Sequence, residues 1–324
     1  MERLKNEKKY KVVSLFAGIG GFDLGFDNAG FDMIWANDFD KYAVQTYRAN
    51  VSDKIVCDDI RNQIDNVPKH DVLVGGFPCQ PFSTLGKLKG FDDDRGTMFT
   101  YILDIINKND SKVVVLENVK NIIHHDNGKT FKTILDKLEK QGYYTNYGVV
   151  NTADFGIPQR RNRVYIIAFN KKYFDKKNFE YPEPIKLTKT TQDLLDKKVE
   201  EKYFISKKML PTILGKGTKG YIVKPTIDMK LSKTLTATMH KMHRASQDNY
   251  ITDKINSLNI SNEKSDIRKL TPNECRKLQG FPSDWKQVVS DTQAYKQFGN
   301  AVTVDVAYNV AKNLMKYIDE NKKW

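Results

Sequence analysis

Cysteine is scarce in this chain. Three occur in 324 residues, Cys57, Cys79 and Cys275, and no two form a C-x-x-C. That excludes a disulfide framework and a thiolate zinc site and fits a reducing compartment. Long apolar runs are missing too: none approaches the ~18 residues of a membrane span. The opening MERLKNEKKY also lacks the apolar stretch of a secretory signal, so a soluble, cytoplasmic chain with no membrane partner is expected. His240-x-x-His243 has metal-ligand spacing but no nearby cysteine or acidic partner, and no metal site is assigned. Acidic residues are outnumbered 40 to 53, giving a formal charge of +13. Such a surface suits a polyanion, because binding releases counterions from phosphates, although solvated lysines alone produce the same excess.

The first half reads as a nucleotide-type sheet. KVVSLF (11–16) has the composition of a buried strand, AGIGG turns the chain, and FDLGFDNAG reads as a helix ended by Gly30. DMIWAND ends a second strand at Asp38, twenty residues after Gly18, and KIVCDDI ends a third near Asp58 and Asp59. In a doubly wound sheet those ends border the ligand crevice, where a carboxylate accepts hydrogen bonds from ribose. The glycine pattern is incomplete, however: Gly18-x-Gly20 is followed by Asp23 where a dinucleotide fingerprint has its third glycine. Adenosine without a diphosphate, as in S-adenosylmethionine, fits this loop better. DVLVGGF and KVVVLENV bring Cys79, Glu117 and Asn118 to the same edge. Cys79 lies between Pro78 and Pro81, where neither helix nor central strand continues easily. The thiol is therefore either a small core residue or a presented nucleophile. Residues 80–98, polar and glycine-rich, have the composition of a lid.

SLFAGIGGFDLGF, GGFPCQPFS, ENVKN, GIPQRRNRVYIIAF, RKLTPNECRKLQGFP and QFGNAV stand in the order found in DNA cytosine-5 methyltransferases. The chain resembles that family, of the bacterial restriction-modification type, from about residue 12 to 314 except roughly 185–265. The resemblance implies an α/β fold with a doubly wound, mostly parallel sheet and a second, smaller target-recognition domain. It implies S-adenosylmethionine as cofactor and double-stranded DNA as substrate, with the target cytosine flipped out of the stack. Catalytic residues carried over are Cys79 as nucleophile, Glu117 against the cytosine ring, and Arg161 and Arg163, which alternate onto one strand face while Arg160 faces away. Phe16, Gly18, Gly20, Asp38, Phe39, Asp59, Ile60, Pro78 and Asn300 match cofactor-binding positions, Asp38 toward ribose and Asp59 toward the adenine amine. Ser83, Lys87, Arg95, His240, His243 and Arg244 are expected at DNA.

Residues 1–183 with 293–324 are expected to form the catalytic domain and 184–292 the target-recognition domain. The latter span has short strand-like pieces, no long periodic helix and no repeat. VTVDVAYNVAKNLMKY reads as a core helix, Cys275 as a buried helix residue and Cys57 as a strand residue. A monomer is expected, with a restriction endonuclease as a functional rather than physical partner. An RNA cytosine-5 methyltransferase on the same scaffold, acting on transfer RNA, is the nearest rival. A nicotinamide dehydrogenase would need a phosphate-binding loop, and a non-catalytic DNA-binding protein would have no use for Cys79 with Glu117.

Overall fold

A computed structural model describes residues 9–78, 98–175, 178–218 and 221–324. Its strands, in chain order, begin with β1 (Lys11–Leu15), β2 (Asp32–Asp38), β3 (Ile55–Cys57), β4 (Val72–Gly75), β5 (Val113–Val119) and β6 (Tyr143–Asn151). The two-residue β7 (Gln159–Arg160) and β8 (Asn162–Asn170) follow. Helices α1 (Gly21–Asn28), α2 (Lys41–Asn50), α3 (Met98–Asn109) and α4 (Lys129–Lys140) alternate with these strands. The chain divides into two compact units, one of residues 1–150, 162–183 and 302–324, the other of 151–161 and 184–301.

In the first unit a seven-stranded sheet has the order β3-β2-β1-β4-β5-β8-β6. Pairings from β3 through β5 are parallel, and β8 runs antiparallel to β5. Strand order reverses between β1 and β4, so the carboxyl ends of those two strands open the crevice where such sheets bind ligands. β5 is apolar from Val113 to Leu116 because both its faces are covered, and all four side chains are fully buried. Each contributes about 1.5–3 kcal/mol by leaving water. α1 ends at Asn28 and Gly30 takes φ +98°, the left-handed turn its sequence position predicts. The last helix, α8 (Val304–Asn321), buries Val306, Ala307, Val310 and Leu314, as its periodicity predicts. It lies against α1 at contact distances only glycine permits: a Cβ on Gly21 would stand 2.1 Å from the Val302 carbonyl oxygen, and one on Gly25 2.5 Å from Ala307 Cβ. This close approach holds the start of α1, and with it the glycine loop.

The second unit is built from short pieces. Strands β13 (Tyr250–Thr252), β14 (Lys264–Lys269) and β9 (Phe204–Ser206) form an antiparallel sheet over a small core of Ile205, Ile213, Ala245, Tyr250 and Ile267. α5 (Leu210–Ile213), the hairpin of β10 (Gly217–Thr218) and β11 (Tyr221–Ile222), and β12 (Ser232–Lys233) paired with β7 complete it, with α6 (Pro272–Leu278) and α7 (Asp291–Asn300). Residues 293–301 fall in this unit, whereas sequence reading joined them to 302–324. The backbone of Thr236 and Ala237 presses on Gly299 so closely that a Cβ there would lie 2.2 Å from the Thr236 carbonyl carbon. Cys275 is buried in α6, while Cys57, at the end of β3, is exposed.

Candidate active site

Five strand ends, those of β1 to β5, build the site in the first unit. After β1 the chain runs through Phe16 (φ +53°), Gly18 (φ +56°) and Gly20 (φ +88°). Left-handed geometry costs a residue such as phenylalanine roughly 1–2 kcal/mol. The Phe16 ring offsets it by packing on the core. The loop is tied to the end of β2: Ala17 N–H donates to the Asn37 carbonyl at 2.9 Å and Gly18 N–H to Asp38 Oδ2 at 2.8 Å. Asp38 Oδ1 accepts from Asp40 N–H at 2.8 Å, so this buried carboxylate is oriented by backbone on both oxygens. A side chain on Gly18 would project into open space, and Phe39, next to Asp38, is 74% exposed. An open glycine loop, an oriented carboxylate and an exposed ring suit adenosine, and among the described residues nothing there builds a diphosphate cradle.

Asp23 occupies the position of the missing third glycine. It is fully buried and accepts from Ser14 Oγ at 2.9 Å and Tyr47 Oη at 2.6 Å. Burial pushes its pKa up to about 6, against the pull of those two donors. Its work is to join β1, α1 and α2 beneath the loop. At the end of β3, Asp59 caps a short turn and is bound by Arg61 through Nε at 2.9 Å and Nη2 at 2.7 Å, which holds its pKa below the usual carboxylate range. Ile60 beside it is buried in the core.

Glu117, near the end of β5, is buried and paired with Arg163 of β8, Nε to Oε1 at 2.9 Å. A Cβ on Gly76 would lie 3.5 Å from Glu117 Oε2. The backbone three residues before Cys79 thus passes beside the carboxylate. Asn118 pins the same segment, donating from Nδ2 to the Phe77 carbonyl at 2.9 Å. Pro78 is exposed at the end of this run. Cys79, Ser83, Lys87, Arg95 and nearly all of the 80–98 segment lie outside the described residues.

The two arginines do not act alike. Arg161 stands in a break between β7 and β8 rather than on one strand face with Arg163, and it is buried in the second unit. Its guanidinium donates to the carbonyls of Leu235 (3.0 Å), Gly299 (3.2 Å) and Ala301 (2.7 Å). Arg160 is exposed, as alternation predicts. Asn300 is exposed at the end of α7 in that same unit. His240 and Arg244 are half-buried in the loop after β12, and His243 is paired with Asp248 at 3.2 Å, which corrects the expectation that these histidines have no acidic partner nearby. Among the described residues no cluster of metal-ligating side chains forms. Sequence reasoning missed Gly76 as a support of the site; it set Asn118 at this edge, as a polar residue closing an apolar strand, without assigning it the bond to Phe77.

The profile of the C-5 cytosine-specific DNA methylase family matches residues 10–316. Type II methyltransferase M1.ScrFI of Lactococcus lactis subsp. cremoris is 38% identical over 325 residues, covering 97% of this chain and 80% of that protein. Type II methyltransferase M.HhaI of Haemophilus parahaemolyticus is 36% identical over 325 residues, covering 94% and 95%. Among solved structures, S. pombe Dnmt2 methyltransferase superposes with a TM-score of 0.74 at 20% identity, over 95% of this chain and 99% of that one. The chain belongs to the C-5 cytosine-specific DNA methylase family. It is a DNA methyltransferase of the restriction-modification type, with S-adenosylmethionine as methyl donor.

Proposed function

We propose that this enzyme methylates C5 of a cytosine flipped out of a short, specific duplex sequence, through a covalent adduct between Cys79 and C6. The observation that carries the reading is the buried Glu117–Arg163 pair beside the Gly76 backbone, three residues before the thiol. Cytosine C5 is a poor nucleophile. A thiolate adding at C6 pushes electron density onto C5, which then attacks a methyl carbon. The bound cofactor supplies that methyl on a sulfonium leaving group. Glu117 holds a proton at N3 and accepts from the exocyclic amine, relieving charge on the ring, while Arg163 fixes the carboxylate. Water or hydroxide then takes the C5 proton, and its electron pair re-forms the C5–C6 double bond as the C6–S bond breaks, releasing Cys79 as thiolate. Asp38 holds the ribose and Phe39 packs on the adenine, with Phe16, Gly18, Gly20, Asp59, Ile60 and Pro78 completing the first unit's part of the cofactor site. Asp59 can still accept from the adenine amine with lone pairs that Arg61 leaves open.

Residues 184–292 choose the sequence, with His240, His243 and Arg244 facing DNA, while Ser83, Lys87 and Arg95 contact it from the 80–98 segment. The chain acts as a monomer in the cytoplasm, alongside a restriction endonuclease that reads the same site. Cys79→Ala should abolish turnover and keep DNA binding. A variant that retained about a tenth of the parent rate, about 1.4 kcal/mol of barrier, would overturn covalent catalysis. A duplex carrying 5-fluorocytosine at the target should become cross-linked to the parent protein, because fluorine does not leave as a proton does. Transfer RNA should fail to compete.

A further inference from the structure

The polar loop that follows β12 is closed at its base by two side chains, and the closure is more elaborate than a connection requires. Lys233 extends its ammonium group to three backbone carbonyls, those of Thr226 (2.9 Å), Ala245 (2.8 Å) and Asp248 (3.1 Å), which use all three of its protons. Desolvation of this amine opposes its charge and lowers its pKa, so the three carbonyls compensate a real cost. Asn249 brackets the backbone of the same residue: its Oδ1 accepts from Lys233 N–H at 2.8 Å and its Nδ2 donates to the Lys233 carbonyl at 3.1 Å.

The return limb is tied in as well. Asp248 Oδ2 accepts from His243 N–H at 2.8 Å, and Tyr250 Oη donates to the His243 carbonyl at 2.6 Å. Ala245 is buried, its N–H donating to the Ile213 carbonyl at 2.8 Å, and Met242 packs on the same small core in a left-handed conformation (φ +53°). Between these anchors Thr236, Thr238 and Lys241 are exposed. Arg244 is half-exposed, and its side chain has no hydrogen bond or ion pair among the described residues. A loop fixed at its base and along its return, with Thr236, Thr238 and Lys241 reaching solvent, is organised before any partner arrives. Preorganisation of that kind removes the ordering cost of binding and makes a mismatched contact harder to accommodate.

We propose that Lys233 and Asn249 are positioning residues for base recognition, clamping residues 234–248 so that their exposed side chains meet DNA in one arrangement. The proposal rests on the reading that 184–292 chooses the sequence. Lys233→Met and Asn249→Ala remove the two halves of the clamp separately. Each variant, purified at full length, is given a random-sequence duplex library under limiting turnover, and every methylated cytosine is mapped.

Both variants are expected to lose discrimination between the preferred sequence and sites with one changed base pair by about tenfold. KM for DNA should rise while the cofactor dissociation constant in calorimetry stays at the parent value. A merely structural role lowers the folded fraction and slows all sites together, leaving discrimination unchanged; that result in folded protein overturns the proposal. Should Lys233→Met fail to fold, Asn249→Ala decides alone. His240→Ala and Arg244→Ala in the same library separate the two levels. Altered preference in these with parental discrimination in the clamp variants overturns the clamp only. Parental preference in all four overturns recognition by this loop, and the clamp with it.

Discussion

The two units hold themselves together in different ways. In the first, β1, β4 and β5 are rich in buried Val and Leu, α1 meets α8 through glycine contacts, and the polar groups of the candidate site stand at strand ends. In the second, the largest buried side chains include Arg161 and Arg268, and Gln159, Gln279 and Glu274 are buried with them. Gln159 donates to the Leu278 carbonyl at 2.7 Å and accepts from Leu235 N–H at 2.9 Å, and Gln279 donates to the Phe298 carbonyl. Arg268 is shared between Asp253 (2.7 Å) and Glu274 (2.8 Å), and Glu274 also caps α6 through the Thr271 backbone. Apolar burial tolerates change of sequence as long as volume is kept, whereas a buried hydrogen-bonded network demands particular residues. Motifs such as GIPQRRNR, TPNEC and QFGNAV are, on this view, mostly the joints of a loop-rich unit. The motifs at the ends of the parallel strands, with Arg163 paired to Glu117, are the leading candidates for chemistry.

The sharpest separation of the two kinds of motif should come from Glu117→Gln. Glutamine keeps an acceptor for Arg163 but cannot serve as the acid, so kcat should fall by about 10²- to 10⁴-fold while both units stay folded. Single-turnover methylation beside a thermal melt checks this. A rate loss that tracked a lowered melting temperature would move Glu117 from chemistry to structure.

Arg268→Met tests the opposite case. It leaves the buried Glu274 and the partly buried Asp253 without their cation, and removing one partner of such an arrangement costs about 3–5 kcal/mol. That loss should be confined to the second unit. Amide exchange should show β13, β14 and α6 opening while β1, β4 and β5 remain protected, with cofactor still bound. Equal loss of protection in both units would mean that the chain folds as one cooperative body.

How legible each unit was follows from the same contrast. VVVLENV carries its strand and its burial in its composition, Gly30 marks the end of α1, and the 3.6-residue period of 304–321 marks the last helix. Those signals are local. Alternation set Arg161 on one strand face with Arg163, yet it stands in a break between strands and its partners lie 74 to 140 residues away, and no local pattern reports that. Lys233 and Asn249 were invisible for the same reason, each looking like an ordinary surface polar residue. Asp23 was noticed only as a missing glycine. That it is a buried hub, with Tyr47 in the next helix as donor, required coordinates.

The smallest effects, and the ones that test whether the first unit's buried polar groups are as consequential as the second's, should appear with pH. His70 is buried between the Pro68 carbonyl at Nδ1 (2.7 Å) and Ser111 Oγ at Nε2 (2.6 Å). Desolvation pulls its pKa down to about 4 from 6.5. Between those values the unfolded chain takes a proton that the native state refuses. Stability due to His70 is therefore intact above pH 6.5 and declines as pH falls toward 4, by about 3 kcal/mol in all. Asp23 has the opposite sign. Its folded pKa of about 6 lies above the ordinary 3.8, so the native state binds the proton first and gains about 3 kcal/mol as pH falls through that window. In the parent the two slopes largely cancel. His70→Gln should expose the Asp23 slope, so that this variant gains stability relative to the parent on acidification. Asp23→Asn should be more stable than the parent above pH 6 and lose that advantage toward pH 4. Urea denaturation of the three proteins at half-unit pH steps measures both differences. Parallel curves for all three would show that neither group is desolvated in solution and that the polar joints of the second unit alone govern how the fold responds to charge.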